Sequence, residues 1–380
     1  MLAFTNVELV LRDHYLPKAY LLTENDTIKD FGPMKQFVCP EGAEVIDGQG
    51  LYLAPGMFDT HTHACEGVRY AYDAVTPAAA ALKHGATSVL ATTSVKHTFD
   101  VMLEAIARIR TAMHDGTAPN IVGINMEGPY MNDKYGSPLG AHYWTNSLKP
   151  EIYDKVIEAC GGDVCIWTVA PELEGIEGFV AAAHAANPRA KFAVGHSEAS
   201  PAQIEKLIPY GLCIGTHHTN ATGDLVKYPE CRGVCVDETV NYHSEFWAEI
   251  ISDSLGVHVD PYNQRLIRKI KGDERIILIT DATDSKGAPL PGLEDVTDIN
   301  FTNVGDVSGS KLTMDAAVRN WMTHTGASLV EAFRLAAYNP AMETGFTDRG
   351  EIAVGKRADL LLIDHHVNIK AVYLGGKKVD

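Results

Sequence analysis

The sequence predicts an α/β fold, a (β/α)8 TIM-type barrel with a small β domain formed by the N- and C-terminal segments. Three observations lead there. Eight short β-rich runs alternate with helix-period stretches, most of the apolar runs are continuous, and both ends of the chain read as strands and turns. Continuous apolar runs suit parallel strands covered on both faces, whereas a half-exposed strand alternates. Strand then helix, eight times over, is the barrel pattern, and a propeller or sandwich has no need of the helices.

Residues 1–54 supply TNVELVL, KAYLLT and AEVIDGQGLYLAPG, all strand and turn signals. The first barrel strand is expected at 57–63 (MFDTHTH), then 87–93 (TSVLATT), 120–127 (NIVGINME) and 164–170 (VCIWTVA). The remaining four are expected at 190–196 (AKFAVGH), 212–218 (LCIGTHH), 248–253 (AEIISD) and 275–281 (RIILITD). Between them lie TPAAAALKHG, FDVMLEAIARIRTAM, IEGFVAAAHAAN and SPAQIEKLIPYG, several opening at Ser, Thr or Asp and closing at Gly or Asn, as helices do. Residues 346–380 return to strand signals. Chain ends of compact domains often lie close together. Segments 1–54 and 346–380 are therefore expected to pair into a small sandwich-like β domain beside a catalytic barrel at 55–345.

Composition bounds the function. The chain of 380 residues is 46% hydrophobic, enough for a large core. No apolar run approaches the roughly eighteen residues of a membrane span, and the N-terminus meets charge too early for a signal peptide. A formal net charge of −17 argues against nucleic-acid or anionic-membrane partners, because phosphate backbones demand basic surface. A small anion can still bind where a metal or a few cations focus the field. Seven scattered cysteines, an odd number, read as reduced thiols and point to the cytoplasm.

The polar residues are placed informatively. His61 and His63 end the first strand segment, Glu127 the third, His196 the fifth, His217 the sixth and Asp281 the eighth. Each has an ordinary explanation when taken alone. An isolated His-x-His is weak evidence, Glu127 or Asp281 can cap a helix, and single histidines are commonly satisfied core residues. Together they fall at the C-terminal ends of five strands, the face where barrel enzymes build their sites. Alternate residues on a strand point the same way, so His61 and His63 can approach one ion together. Imidazoles and carboxylates suit a divalent cation such as Zn²⁺, and a site without sulfur can keep a position open for water.

The motifs PGMFDTHTH, MEGPYMN, GAH (140–142), APE (170–172), GHSEAS, THHTNAT and ITDAT follow one another in order. With the tail SGSKLTMDAAVRNWMTHTGASLVEAFRLAAYNPA and GEIAVGKRADLLLID, the chain resembles the N-acetylglucosamine-6-phosphate deacetylases over nearly its whole length. The tail alone resembles the wider amidohydrolase superfamily. The resemblance implies a metal-dependent hydrolysis of the N-acetyl amide of an N-acetylhexosamine 6-phosphate, above all N-acetylglucosamine 6-phosphate. It implies a principal metal on Glu127, His196 and His217, a second on His61 and His63 with Glu127 bridging, and thus one or two ions such as Zn²⁺. His217 is preferred to His218 because the family pattern Thr-His-x-x-Asn-Ala puts the ligand directly after Thr216. Asp281 is implied as general base and then acid, and His142 as stabiliser of the oxyanion. His142, the Asn220-Ala221 backbone and His258 would meet substrate. Lys227, with Arg232 nearby, would reach the phosphate across a homodimer.

Three departures bear on the sugar and its phosphate. The segment from Glu127 to His142 is longer than the family spacing, 252–258 is expanded, and Lys227 stands where the family carries Arg. The rival readings are another amidohydrolase, such as a cyclic amidase or N-acyl amino acid deacetylase, and a non-catalytic barrel scaffold. Dihydroorotase-like relatives carry a bridging lysine where this chain has Glu127, and the intact ligand set speaks against a scaffold.

Overall fold

The computed structural model describes residues 1–94, 96–136, 144, 147–223 and 226–379. Strands β1 (Met57–Thr62), β2 (Ala86–Thr92), β3 (Ile121–Glu127) and β4 (Val164–Val169) lie side by side in chain order. The sheet continues through β5 (Lys191–Val194), β6 (Leu212–Gly215), β7 (Trp247–Ile251) and β8 (Ile276–Ile279). All neighbouring pairs are parallel. The seam closes just past β8, where the Asp281 amide donates to the His61 carbonyl at 2.8 Å and the His63 and Ala64 amides donate to the Ala282 carbonyl. The fifth, sixth and eighth strands end short of the expected His196, His217–His218 and Asp281. The cause is backbone conformation, since φ is 48° at His196, 30° at His217 and 45° at Asp281, values that no strand accommodates.

Helices cover the barrel as the periodicity requires. Phe99–His114 buries Met102, Ala105, Ile106, Ile109 and Ala112 on one stripe, and Thr98 caps its start by accepting the Val101 amide. Ser200 and Gln203 form a reciprocal capping box at Pro201–Glu205. Inside the barrel, Phe58, Leu90, Ile166, Ile214 and Ile277 pack with Ala341, Met342 and Phe346 to plug the N-terminal end. Each such fully buried side chain contributes about 1.5–3 kcal/mol.

A polar layer lies above that plug. The Asn125 side chain donates to the Thr60 carbonyl at 2.9 Å, the Thr62 amide to Thr92 Oγ1 at 2.9 Å, and the Thr168 and Thr216 hydroxyls pair at 3.2 Å. The metal-ligand candidates stand on this layer.

Both chain ends enter one mixed sheet. Leu2–Val10, Tyr15–Glu24, Thr27–Pro33, Glu44–Asp47 and Tyr52–Pro55 join Leu360–Ile363, Ile369–Leu374 and Lys377–Lys378. The sheet curls on itself, for the Phe4 and Tyr373 rings meet edge-on at 4.8 Å although their strands are not neighbours. Phe4, Val7, Leu21, Leu53 and Leu360 belong to a core separate from that of the barrel. Among the described residues no helix is long and apolar enough to cross a membrane.

Candidate active site

The site begins with an irregularity in β1. Its register with β2 shifts between Asp59 and Thr62, and consecutive residues Thr60 and His61 both reach the carboxylate of Glu249. Thr60 Oγ1 lies 3.4 Å from Oε1, and His61 Nδ1 lies 3.2 Å from Oε2. A regular strand sends neighbours to opposite faces, so the shift re-aims one of them. Pairing at Nδ1 turns the His61 Nε2 toward Glu127 Oε1 at 3.5 Å and Asp281 Oδ1 at 3.7 Å. His63 Nε2 sits 2.9 Å from Glu127 Oε2 and 3.4 Å from Asp281 Oδ1.

The other two histidines come from the positive-φ turns after β5 and β6. His196 Nε2 and His217 Nε2 approach Glu127 Oε1 at 2.9 and 3.2 Å and stand 3.0 Å apart. His196 Nδ1 faces the Tyr135 carbonyl at 3.2 Å, which fixes the ring with Nε2 inward. Gly136 makes room there, because a Cβ on it would fall 2.1 Å from that imidazole. Left-handed backbone at a histidine is strained, and such strain gathers at functional sites. Two buried triads result, His61–His63–Glu127 and Glu127–His196–His217, sharing the glutamate.

Electrostatics keep the carboxylates charged. Burial would raise the Glu127 pKa, but the charge of His63, hydrogen bonds from His196 and His217 and the nearby His61 ring hold it well below the usual range. Burial likewise opposes ionisation of Asp281, and His63 and His61 outweigh it.

The donor set fits a divalent ion. His61 Nε2 is buried with no hydrogen-bond partner, and two imidazole nitrogens 3.0 Å apart converge on one carboxylate oxygen. A cation among them would take up the inward Nε2 lone pairs, and nitrogen with oxygen and no sulfur is the set of a catalytic rather than a purely structural site.

A cavity of about 300 Å³ opens over these groups, lined by His63, Glu127, His196, His217 and Asp281. Asn220, Ala221 and His258 line it too. Asp253 accepts the His258 amide at 2.8 Å and pairs with its Nδ1 at 3.0 Å, leaving Nε2 buried and unpartnered. Lys227 and Arg232 are exposed on a short hairpin, Val226–Tyr228 with Cys231–Arg232, and neither is among the described residues lining the cavity. Arg232 pairs there with Glu238 at 3.2 Å. His142 lies outside the described residues.

Sequence reasoning missed Glu249, Arg69 and Lys96. Glu249 left a signal, as the charged residue of the apolar strand Trp247–Ile251. Arg69 and Lys96 line the cavity from the loops after β1 and β2 and carry no motif.

A barrel whose mouth gathers histidines and carboxylates that could hold a metal ion has the layout of a metal-dependent hydrolase. The chain belongs to the amidohydrolase family, whose profile matches residues 52–379. It is similar to the N-acetylglucosamine-6-phosphate deacetylase of Lysinibacillus sphaericus, 27% identical over 90% of this chain and 89% of that one. It is equally similar to the N-acetylgalactosamine-6-phosphate deacetylase of Escherichia coli O157:H7, 27% identical over 96% and 98% of the two chains. The crystal structure of the N-acetylglucosamine-6-phosphate deacetylase from Pasteurella multocida superposes with a TM-score of 0.85 at 25% identity, covering 100% of this chain and 99% of that one.

Proposed function

We propose that the chain hydrolyses the N-acetyl amide of an N-acetylhexosamine 6-phosphate, N-acetylglucosamine 6-phosphate above all, releasing the amino sugar phosphate and acetate. The observation that carries this reading is the Asp281 carboxylate set 3.4 Å from His63 Nε2 and 3.7 Å from His61 Nε2 in the cavity wall. An amide is a poor electrophile and an amine a poor leaving group, so hydrolysis needs help at both.

One or two divalent ions, Zn²⁺ in this reading, held by Glu127, His196 and His217 and by His61 and His63, supply water acidity and carbonyl polarisation when bound. Asp281 Oδ takes the proton of the attacking water. As the C–N bond breaks, it gives that proton to the departing nitrogen, and the acyl group leaves as acetate. Such proton transfer contributes typically ~10²–10⁴-fold. His258 presents Nε2 to the substrate, and the Asn220-Ala221 backbone would meet the phosphate. His142 would steady the oxyanion. Lys227 or Arg232 would reach across a homodimer, which their exposure permits. A charged sugar phosphate crosses no bilayer unaided, which supports work in the cytoplasm.

Acetate release from N-acetylglucosamine 6-phosphate, N-acetylgalactosamine 6-phosphate and their unphosphorylated counterparts tests the reading. Asp281→Asn should lower kcat at least ~10²-fold while substrate still binds. Absence of acetate from all four sugars, or an Asp281→Asn enzyme near the parent rate, would overturn it.

A further inference from the structure

The cavity has a cationic side that the proposed chemistry leaves unused. Arg69 ends the hairpin Ala64–Cys65 with Val68–Arg69, directly after β1, and Lys96 follows β2. Both line the cavity. Arg69 Nε pairs with Asp284 at 2.5 Å, and among the described residues its terminal nitrogens bond nothing. Lys96 Nζ makes no ion pair among the described residues. Burial and then the charge of Arg69 lower its pKa, so the two cations feel each other. Divalent ions on Glu127 and the histidines would add to that repulsion. Glu127, Asp281 and Asp284 act on Lys96 in the opposite sense, but Asp284 is engaged by Arg69 Nε, and neither Lys96 Nζ nor the terminal nitrogens of Arg69 meet a carboxylate among the described residues.

Their place on the barrel says which part of a ligand they meet. In a ring of eight strands, β2 lies diametrically across from β6, and β6 leads to Asn220 and Ala221. A ligand reaching from Asn220 over the metal centre presents its far end to Lys96 and Arg69.

We propose that Lys96 and Arg69 form an oxyanion subsite in this cavity, taking a second anionic group, phosphate or carboxylate, on the end of the substrate opposite the one that Asn220 and Ala221 meet. The subsite deepens the amide-hydrolase reading and rests on it for the word substrate. It is supplied by the same chain that holds the metal ligands. Lysine gives a point charge and arginine a planar fork, and both suit oxygen anions.

Calorimetric titration of inorganic phosphate and of malonate into the full-length, Zn²⁺-loaded protein tests this without turnover. Anion bound to metal is common to all variants, so the difference between variants reads the subsite. Lys96→Met alters a solvent-accessible side chain and should weaken one or both anions about tenfold or more. Lys96→Arg should restore most of the binding. Loss confined to phosphate assigns a phosphoryl group to that far end, and loss confined to malonate assigns a carboxylate. Unchanged affinity for both anions in Lys96→Met and in Arg69→Gln would overturn the proposal. Anion binding that depends on Lys96 in a protein releasing no acetate would sink the deacetylase reading and leave the subsite standing.

Discussion

At Glu249 a fully buried carboxylate faces the Nδ1 of His61 across 3.2 Å. A carboxylate behind a ligating histidine fixes its tautomer and raises its basicity, and removing such a partner typically costs ~10–100-fold in metal affinity. Glu249→Gln keeps the shape and one acceptor but loses the charge. We expect weaker metal binding of that order in a chelator competition, with the circular dichroism unchanged. Parent-like affinity would show that Glu249 only fills space. The convergence of the candidate ligands was legible because His, Glu and Asp closing strand segments are visible in a string of letters. Glu249 was visible as a charge in an apolar strand, but its partner is 188 positions away, a pairing that only the fold creates. The positive φ of His196 and His217 was illegible for another reason. Glycine announces such a conformation, whereas a histidine gives no compositional sign of it.

Among the elements, the expanded loop 252–258 has a single organiser. Asp253 accepts the amides of Leu255 at 3.2 Å, Val257 at 2.9 Å and His258 at 2.8 Å, besides meeting the His258 ring. Burial opposes its charge, but the hydrogen bonds from His258 and these amides prevail and lower its pKa. Asp253→Ala strands buried donors, each worth about 1–3 kcal/mol. Urea unfolding should report a loss of at least that size, and KM should rise as His258 loses its aim. A variant with parent stability and KM would mean that the loop is held by something else. This loop was seen in the sequence as an insertion, yet its internal order follows from one carboxylate that no periodicity marks. The barrel strands and the helix Phe99–His114 were legible because burial repeats along them. Hairpins of two or three residues per strand, such as Ala64–Cys65 with Val68–Arg69, are too short to show a period.

For the molecule as a whole, Glu343 couples stability to pH. It lies in the helix Asn339–Thr344, neighbour to the barrel plug, with both carboxylate oxygens buried and unpartnered. Burial and then the charge of Glu249 push its pKa well above 4.5. The folded protein therefore keeps a proton that the unfolded chain releases near 4.5. Stability falls as pH rises from there through the folded value. Glu343→Gln should raise Tm near neutrality and flatten its decline as pH rises above about 4.5, and a lower Tm at every pH would refute this. Strand order was legible in the sequence, but the seam and the curl of the terminal sheet were not, since both join residues from opposite ends of the chain. The strand Tyr52–Pro55 runs straight into β1 and pairs with Leu360–Ile363, Ala54 opposite Leu361, and the Gly56 amide donates to the Asp359 carbonyl at 2.8 Å. Synthesis runs from the other end, so β1 leaves the ribosome before every other barrel strand while its anchor follows all of them. The first two histidines are thus made early, and a nascent chain still tethered short of residue 360 already carries their seam partners Asp281 and Ala282 while lacking the strand that fastens the start of β1. The mouth can therefore take shape before the terminal sheet is complete, and the last strand to be made fastens the base of the barrel and not its opening.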